Sequence, residues 1–219
     1  LGKKPISDAA PTGVPSRDDP AYEALAAEFR KLELPELPAV DWAGAIKLAS
    51  DILGNKSKDV LAGVYLAIAL FESRGYDGLA DGVTVLHDMV SAYWDTMHPE
   101  RVRPRQTAFQ YLGERGGKRV NQRGTDGANH ATVERILDMV GKIDTLLGEK
   151  LEGGAGLLSE LMRELRDVFD RTKPSAPAPA ASAPSAASSS FSAGAVSAPS
   201  SVGSEDDFDR AVQAIRPAL

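Results

Sequence analysis

Between residues 17 and 172 the apolar side chains recur every three or four positions, and no run alternates apolar with polar in the manner of a half-buried strand. That periodicity confines the fold to the all-α class. A bundle of about seven antiparallel helices is expected, because short connections place successive helices side by side. Asp19 followed by Pro20 is a helix start, since an aspartate accepts from free amides and proline tolerates the first helical position. Tyr22, Leu25, Ala26 and Phe29 then share a face. Asp41 opens a second helix with Trp42, Ile46, Ala49 and Leu53 inward, ending at Gly54-Asn55. Ser57 opens a third, KDVLAGVYLAIALFESRG, which is apolar nearly all round and belongs at the centre of the domain.

A fourth helix over 78–96 carries Leu79, Val83, Leu86, Val90 and Tyr93 as its seam. Pro104 begins a fifth with Ala108, Phe109 and Leu112 inward, and Gly113, Gly116 and Gly117 are expected to end it in a mobile basic loop. Asn129 or Thr132 starts a sixth with Val133, Ile136, Val140, Ile143 and Leu147. A seventh, from about residue 155, carries Leu158, Leu161, Met162, Leu165 and Phe169. No internal repeat of tetratricopeptide length is present.

Residues 174–204 differ sharply: 26 of these 31 residues are Ser, Ala or Pro and none is charged. Such a segment buries too little apolar surface to offset its ordering entropy. The expected organisation is a helical domain over 1–172, a flexible linker over 173–204, and the start of a second domain over 205–219. In that last segment Phe208, Val212 and Ile215 mark a helix with no partner before Leu219, so the natural protein is expected to continue.

The inventory for chemistry is thin. There is no cysteine, which removes disulfides, thiolate metal sites and cysteine nucleophiles together, and points to the cytoplasm. No apolar run reaches the roughly 18 residues of a membrane span. The three histidines stand apart: His87 borders an apolar seam, His98 follows a helix end, and His130 sits at a helix start without a neighbouring partner. None has a second ligand at metal-binding spacing. The glycine stretch 113–123 lacks the Gly-Lys-Ser/Thr of a phosphate loop, and no Gly-x-Ser-x-Gly elbow exists. No cofactor is expected.

What remains is a charge contrast. Residues 100–123 hold seven Lys/Arg against two Glu, a balance of +5 that leaves −11 for the rest of a chain whose net charge is −6. A net acidic chain is a poor match for nucleic acid. Arginine beside aromatics is also the composition of protein interfaces. Arg101, Arg103, Arg105, Arg115, Lys118 and Arg119 are therefore candidates for a protein-docking surface. Any of these arginines can instead lock the turn between helices by pairing with Asp95, Glu100 or Glu114. An alternative function is a regulatory anion or nucleotide site on 113–123, where free amides and basic side chains coincide.

Three stretches carry a resemblance: KKPISDAAPTGVPSRDDPAYEAL, the helix pair starting VDWAGAIKLASDILGNKSKDVLAG, and YWDTMHPERVRPRQTAFQYLGER. In order and spacing they resemble the ImpA-type N-terminal domain of TssA proteins from bacterial type VI secretion systems, over about residues 3–150. Trp42, Trp94, His98, Pro99 and Phe109 belong to this motif series as structural residues. The chain departs at 106–111, where members more often carry an Asn-Ala-Leu-Glu-Trp-like run. The resemblance implies a cytoplasmic, non-enzymatic assembly protein whose partners are baseplate, sheath, Hcp tube or membrane-complex components. It further implies a middle domain, whose opening DDFDRAVQAIRPAL resembles, and a C-terminal region that drives ring-like homo-oligomerisation.

Overall fold

The computed structural model describes residues 1–36 and 38–174, and the expected linker beyond residue 174 and second-domain start lie outside the described residues. The described part is all-α. Asp19 caps α1 (Pro20–Arg30) by accepting from the Ala21 amide at 2.8 Å, with Pro20 at the first helical position. Glu28 near the end of α1 accepts from the Asp41 amide at 2.8 Å and pairs with Lys31, which fixes the start of α2 (Trp42–Asp51) against α1. Asp41 in turn caps α2 through the Gly44 amide. A π-helical turn, Ile52–Lys56, prolongs α2 through the Gly54-Asn55 pair expected to end it.

The central helix starts later than expected. Asp59, not Ser57, is the cap of α3 (Val60–Tyr93), its Oδ1 accepting from the Leu61 and Ala62 amides at 2.9 and 3.1 Å. The third and fourth expected helices are the two arms of α3, broken at Gly75, whose φ of 62° and ψ of −146° suit glycine and strain other residues. The arms fold back on each other with almost no connection. Gly63 faces Leu86, Gly82 faces Ala67 and Gly78 faces Leu70, so one arm descends as the other rises. A Cβ on Gly82 would stand 2.4 Å from the Ala67 Cα, so the absence of a side chain sets how closely the arms approach.

Around this hairpin the amphipathic helices lay their stripes. In α6 (His130–Lys150) Val133, Ile136, Val140, Ile143 and Leu147 are all fully buried, as the spacing predicts, and Asn129 is the cap. Burial of each such side chain stabilises the fold by about 1.5–3 kcal/mol. α7 (Ser159–Arg171) turns Leu161, Leu165 and Val168 inward and packs on α6.

The largest departure concerns residues 112–123. They do not form a loop: α4 (Val102–Tyr111) runs through a π-helical turn, Leu112–Gly116, directly into α5 (Gly117–Arg123). The glycines serve packing instead of chain termination. A Cβ on Gly113 would lie 2.2 Å from the Leu157 carbonyl oxygen, and one on Gly117 3.1 Å from the Leu161 amide, so bare backbone is what lets this helix lie against the start of α7. The helix stops at Gly124, with φ 57°, where the buried Tyr76 hydroxyl donates to the Gly124 carbonyl and ties the end of α5 to the break in α3.

The N-terminal residues are held as well. Tyr93 donates to the Lys3 carbonyl at 2.7 Å, and the buried Lys58 ammonium donates to the carbonyls of Leu1 and Leu53. Residues 12–14 and His98 exchange backbone hydrogen bonds with residues 56–60, among them Lys58 N to Thr12 O at 2.9 Å and Val60 N to His98 O at 2.8 Å. This junction brings residue 17 next to the turn that joins α3 to α4.

Candidate docking surface

In the turn over residues 94–101 one side chain satisfies three backbone carbonyls. Arg105 points back from the first turns of α4. Its Nε donates to Pro99 O, one terminal nitrogen to Trp94 O and the other to Met97 O, each at 2.6 Å. The guanidinium also lies 5.1 Å from the Trp94 ring centre. Burial pulls its pKa below the usual arginine value, and Asp95 and Glu100 work against that pull. At 4% exposure Arg105 cannot be offered to a partner, which corrects its place among the docking candidates. It locks the turn, as the structural reading allowed, but through carbonyls and not through Asp95, Glu100 or Glu114. The bidentate reach of guanidinium suits it to this task. His98 and Pro99, joined by a cis peptide bond, belong to the same junction, with His98 buried and its Nε2 3.4 Å from Gly13 O.

Two further arginines are committed internally. Arg115 pairs with Glu33 at 2.6 Å beside the Tyr111 ring, and Arg119 pairs with Glu72 at 3.0 Å over the Trp42 ring. Residues 112–123 are helical, so the expected basic loop, on which the alternative anion site would depend, is not formed, and of Arg115, Lys118 and Arg119 only Lys118 is exposed. Phe109 is fully buried, while Trp42 and Trp94 pack half-exposed at the edge of the core.

Arg101 and Arg103 are different. Both are exposed, and neither takes part in an ion pair among the described residues. The junction brings a third arginine of the same kind to them, Arg17, which no helical pattern singled out. Arg17 and Arg103 border a cleft of about 410 Å³ whose floor and walls include Leu61, Tyr65, Pro104 and Tyr111. Tyr65 stacks on Phe29 with ring centres 3.9 Å apart and meets Tyr111 edge-on at 5.9 Å, so the aromatic floor is braced from the core. Burial pushes the Tyr111 hydroxyl up to about 12 and the Tyr65 hydroxyl up as well, so both stay neutral. Arg17 also borders a smaller cleft of about 270 Å³ that includes Asp59, Glu100 and Arg101, where the charges balance. Val102, 51% exposed, stands between Arg101 and Arg103.

The histidines do not assemble into a site. His87 lies beside Asp88 and Ser91 on α3, and His130 stacks on Phe169 at 4.1 Å, with Nδ1 3.2 Å from the Phe169 carbonyl. Among the described residues no three His, Cys, Asp or Glu side chains cluster as metal ligands would, and no helix is long and apolar enough to cross a membrane.

The geometry defines an all-α domain whose surface offers arginines and aromatic rings. The chain belongs to the family described as ImpA, N-terminal, type VI secretion system, whose model matches residues 3–114. A curated relative, the type VI secretion system component TssA1 of Pseudomonas aeruginosa, is 32% identical over 96 residues, covering 39% of this chain and 28% of the relative. The match therefore spans under a third of that protein. In fold the chain resembles the solved N-terminal domain, including the conserved ImpA_N region, of the TssA component from Burkholderia cenocepacia. The TM-score is 0.64 at 17% identity, over 78% of this chain and 90% of that one.

Proposed function

We propose that this domain is a non-enzymatic docking module of a cytoplasmic type VI secretion assembly protein, and that it holds baseplate, sheath, Hcp tube or membrane-complex components. The observation that carries this reading is that Arg17, Arg101 and Arg103 are exposed and take part in no ion pair among the described residues, Arg17 and Arg103 beside an aromatic cleft, while Arg105, Arg115 and Arg119 are spent inside the domain. A protein presenting several copies of such a module from a ring-shaped hub on Ser/Ala/Pro linkers would strengthen weak contacts by raising effective concentration. Family membership supports the secretion context, and the arginine surface supports docking within it.

The test uses the full chain with Arg101→Glu and Arg103→Glu against purified baseplate and sheath components in a pull-down. Capture is expected to fall while the melting temperature stays within about 2 °C of wild type, as for exposed substitutions. Undiminished capture of every component by the doubly reversed chain would remove these arginines from the docking role. Lys118→Glu serves as a comparison, since Lys118 is exposed but lies outside the cleft of Arg17 and Arg103.

A further inference from the structure

The cleft between Arg17 and Arg103 has properties that select a ligand chemistry. Arg17 and Arg103 line it together with Leu61, Tyr65, Pro104 and Tyr111, which are apolar or aromatic, and no acidic side chain lines it among the described residues. Neither arginine has a carboxylate at ion-pair distance among the described residues, in contrast to Arg115 and Arg119, each of which meets a glutamate. Two guanidinium groups beside a largely apolar and aromatic floor leave a complementary negative charge to come from outside.

Size narrows the choice further. About 410 Å³ suits one large side chain with its flanking backbone and is too small to seat a folded domain. The floor is rigid, because Tyr65 is stacked on Phe29 and edged by Tyr111, and rigid aromatic pockets are where interface energy concentrates. The hydroxyls of Tyr65 and Tyr111 make no hydrogen bond within the described residues and are free to bond a peptide backbone.

We propose that this cleft binds an acidic peptide segment of a partner protein, with one aromatic or large aliphatic side chain seated on Tyr65 and Tyr111 and flanking carboxylates paired to Arg17 and Arg103. The inference rests on the docking reading and names the partner's chemistry. It assigns roles to Arg17, Tyr65 and Tyr111.

The probe is a fluorescein-labelled peptide, Glu-Asp-Phe-Asp-Glu, titrated with the full chain and followed by fluorescence anisotropy. Binding is expected with half-saturation below about 1 mM, and it is expected to weaken as ionic strength rises from about 0.05 to 0.5 M. Replacing the peptide's Phe by Ala should weaken binding about tenfold, as should Arg17→Glu with Arg103→Glu in the protein. Thr107→Trp is a second, charge-neutral variant: Thr107 is exposed on the cleft wall, so the indole fills the cleft without touching the core. It should also reduce binding about tenfold, with the melting temperature reporting that the fold is kept. Absence of binding at about 1 mM protein, equal binding of the Phe and Ala peptides, or equal binding by the Thr107→Trp protein would each overturn the proposal. If the peptide fails to bind while capture of secretion components still depends on Arg101 and Arg103, this inference falls and the docking reading stands. If the peptide binds as expected while capture is indifferent to those arginines, the ligand chemistry of the cleft stands and Arg101 and Arg103 lose their part in capturing secretion components.

Discussion

Arg105→Met separates a structural arginine from a docking one within a single short run of sequence. The substitution keeps most of the aliphatic stem and removes three hydrogen bonds of 2.6 Å to the carbonyls of Trp94, Met97 and Pro99. Hydrogen bonds from a charged donor contribute about 1.5–3 kcal/mol each, but the guanidinium is 4% exposed and its desolvation offsets much of that sum. What the variant cannot recover is the Met97 carbonyl, left in a buried position with no donor, at a cost of about 1–3 kcal/mol. Together these give a net loss of about 2–4 kcal/mol. For a domain of this size that lowers the melting temperature by about 5–15 °C. Thermal unfolding followed by far-ultraviolet circular dichroism measures it directly. Arg103→Met, two residues earlier and exposed, should change stability by no more than about 0.5 kcal/mol. A melting temperature for Arg105→Met within about 2 °C of wild type, or an equal fall for Arg103→Met, would refute the assignment of roles.

The glycines of 113–117 offer a second contrast. Gly113→Ala drives a methyl group into the Leu157 carbonyl and should destabilise by about 1–3 kcal/mol, whereas Gly116→Ala, 3.5 Å from the nearest Leu161 methyl, should be neutral or stabilising by up to about 1 kcal/mol in urea titrations. Equal tolerance at both positions would mean a loop. At the cap of α3, Asp59 Oδ2 is buried without a partner while Oδ1 caps the helix. Asp59→Asn, which keeps an acceptor and removes the charge, should therefore be at least as stable as wild type at neutral pH, and Asp59→Ala should lose about 1–2 kcal/mol; the reverse order in equilibrium unfolding would refute this. Acid dependence should divide by partner. Lys56 holds the Asp19 carboxyl below its ordinary value and Lys31 does the same for Glu28, so their contribution is present above the unfolded pKa and lost as pH falls through the folded one. Burial pushes Asp59 the other way, so its contribution is present at low pH and lost as pH rises through its folded pKa. Lys56→Met should accordingly flatten the fall in melting temperature between about pH 4 and pH 2, and an unchanged slope would remove Asp19 from the acid transition.

Local rules carried the helices that those rules govern. The Asp19-Pro20 start, the Asp41 and Asn129 caps, and the α6 stripe each depend on contacts within a turn or two, and each stands where the spacing places it. The errors share a cause. Gly113, Gly116 and Gly117 looked like a helix end because glycine lowers helix propensity, yet close packing on α7 overrides propensity there. Ser57 and Asp59 are both good caps, and the backbone pairing of Val60 with His98 places the helix start after the second.

Sequence alone determined the helical class and the family, since periodicity and ordered motifs are properties of the chain itself. It also marked the arginine run as the unusual part. Only the tertiary structure sorted that run, because arginines two residues apart have the same local chemistry and differ in what lies across from them. Arg105 meets the carbonyls of the turn before it, Arg115 and Arg119 meet glutamates more than forty residues away in the chain, and Arg103 meets an aromatic cleft that Arg17 also lines. Whether a charge is consumed or offered depends on contacts between distant segments, and those exist only once the helices have packed.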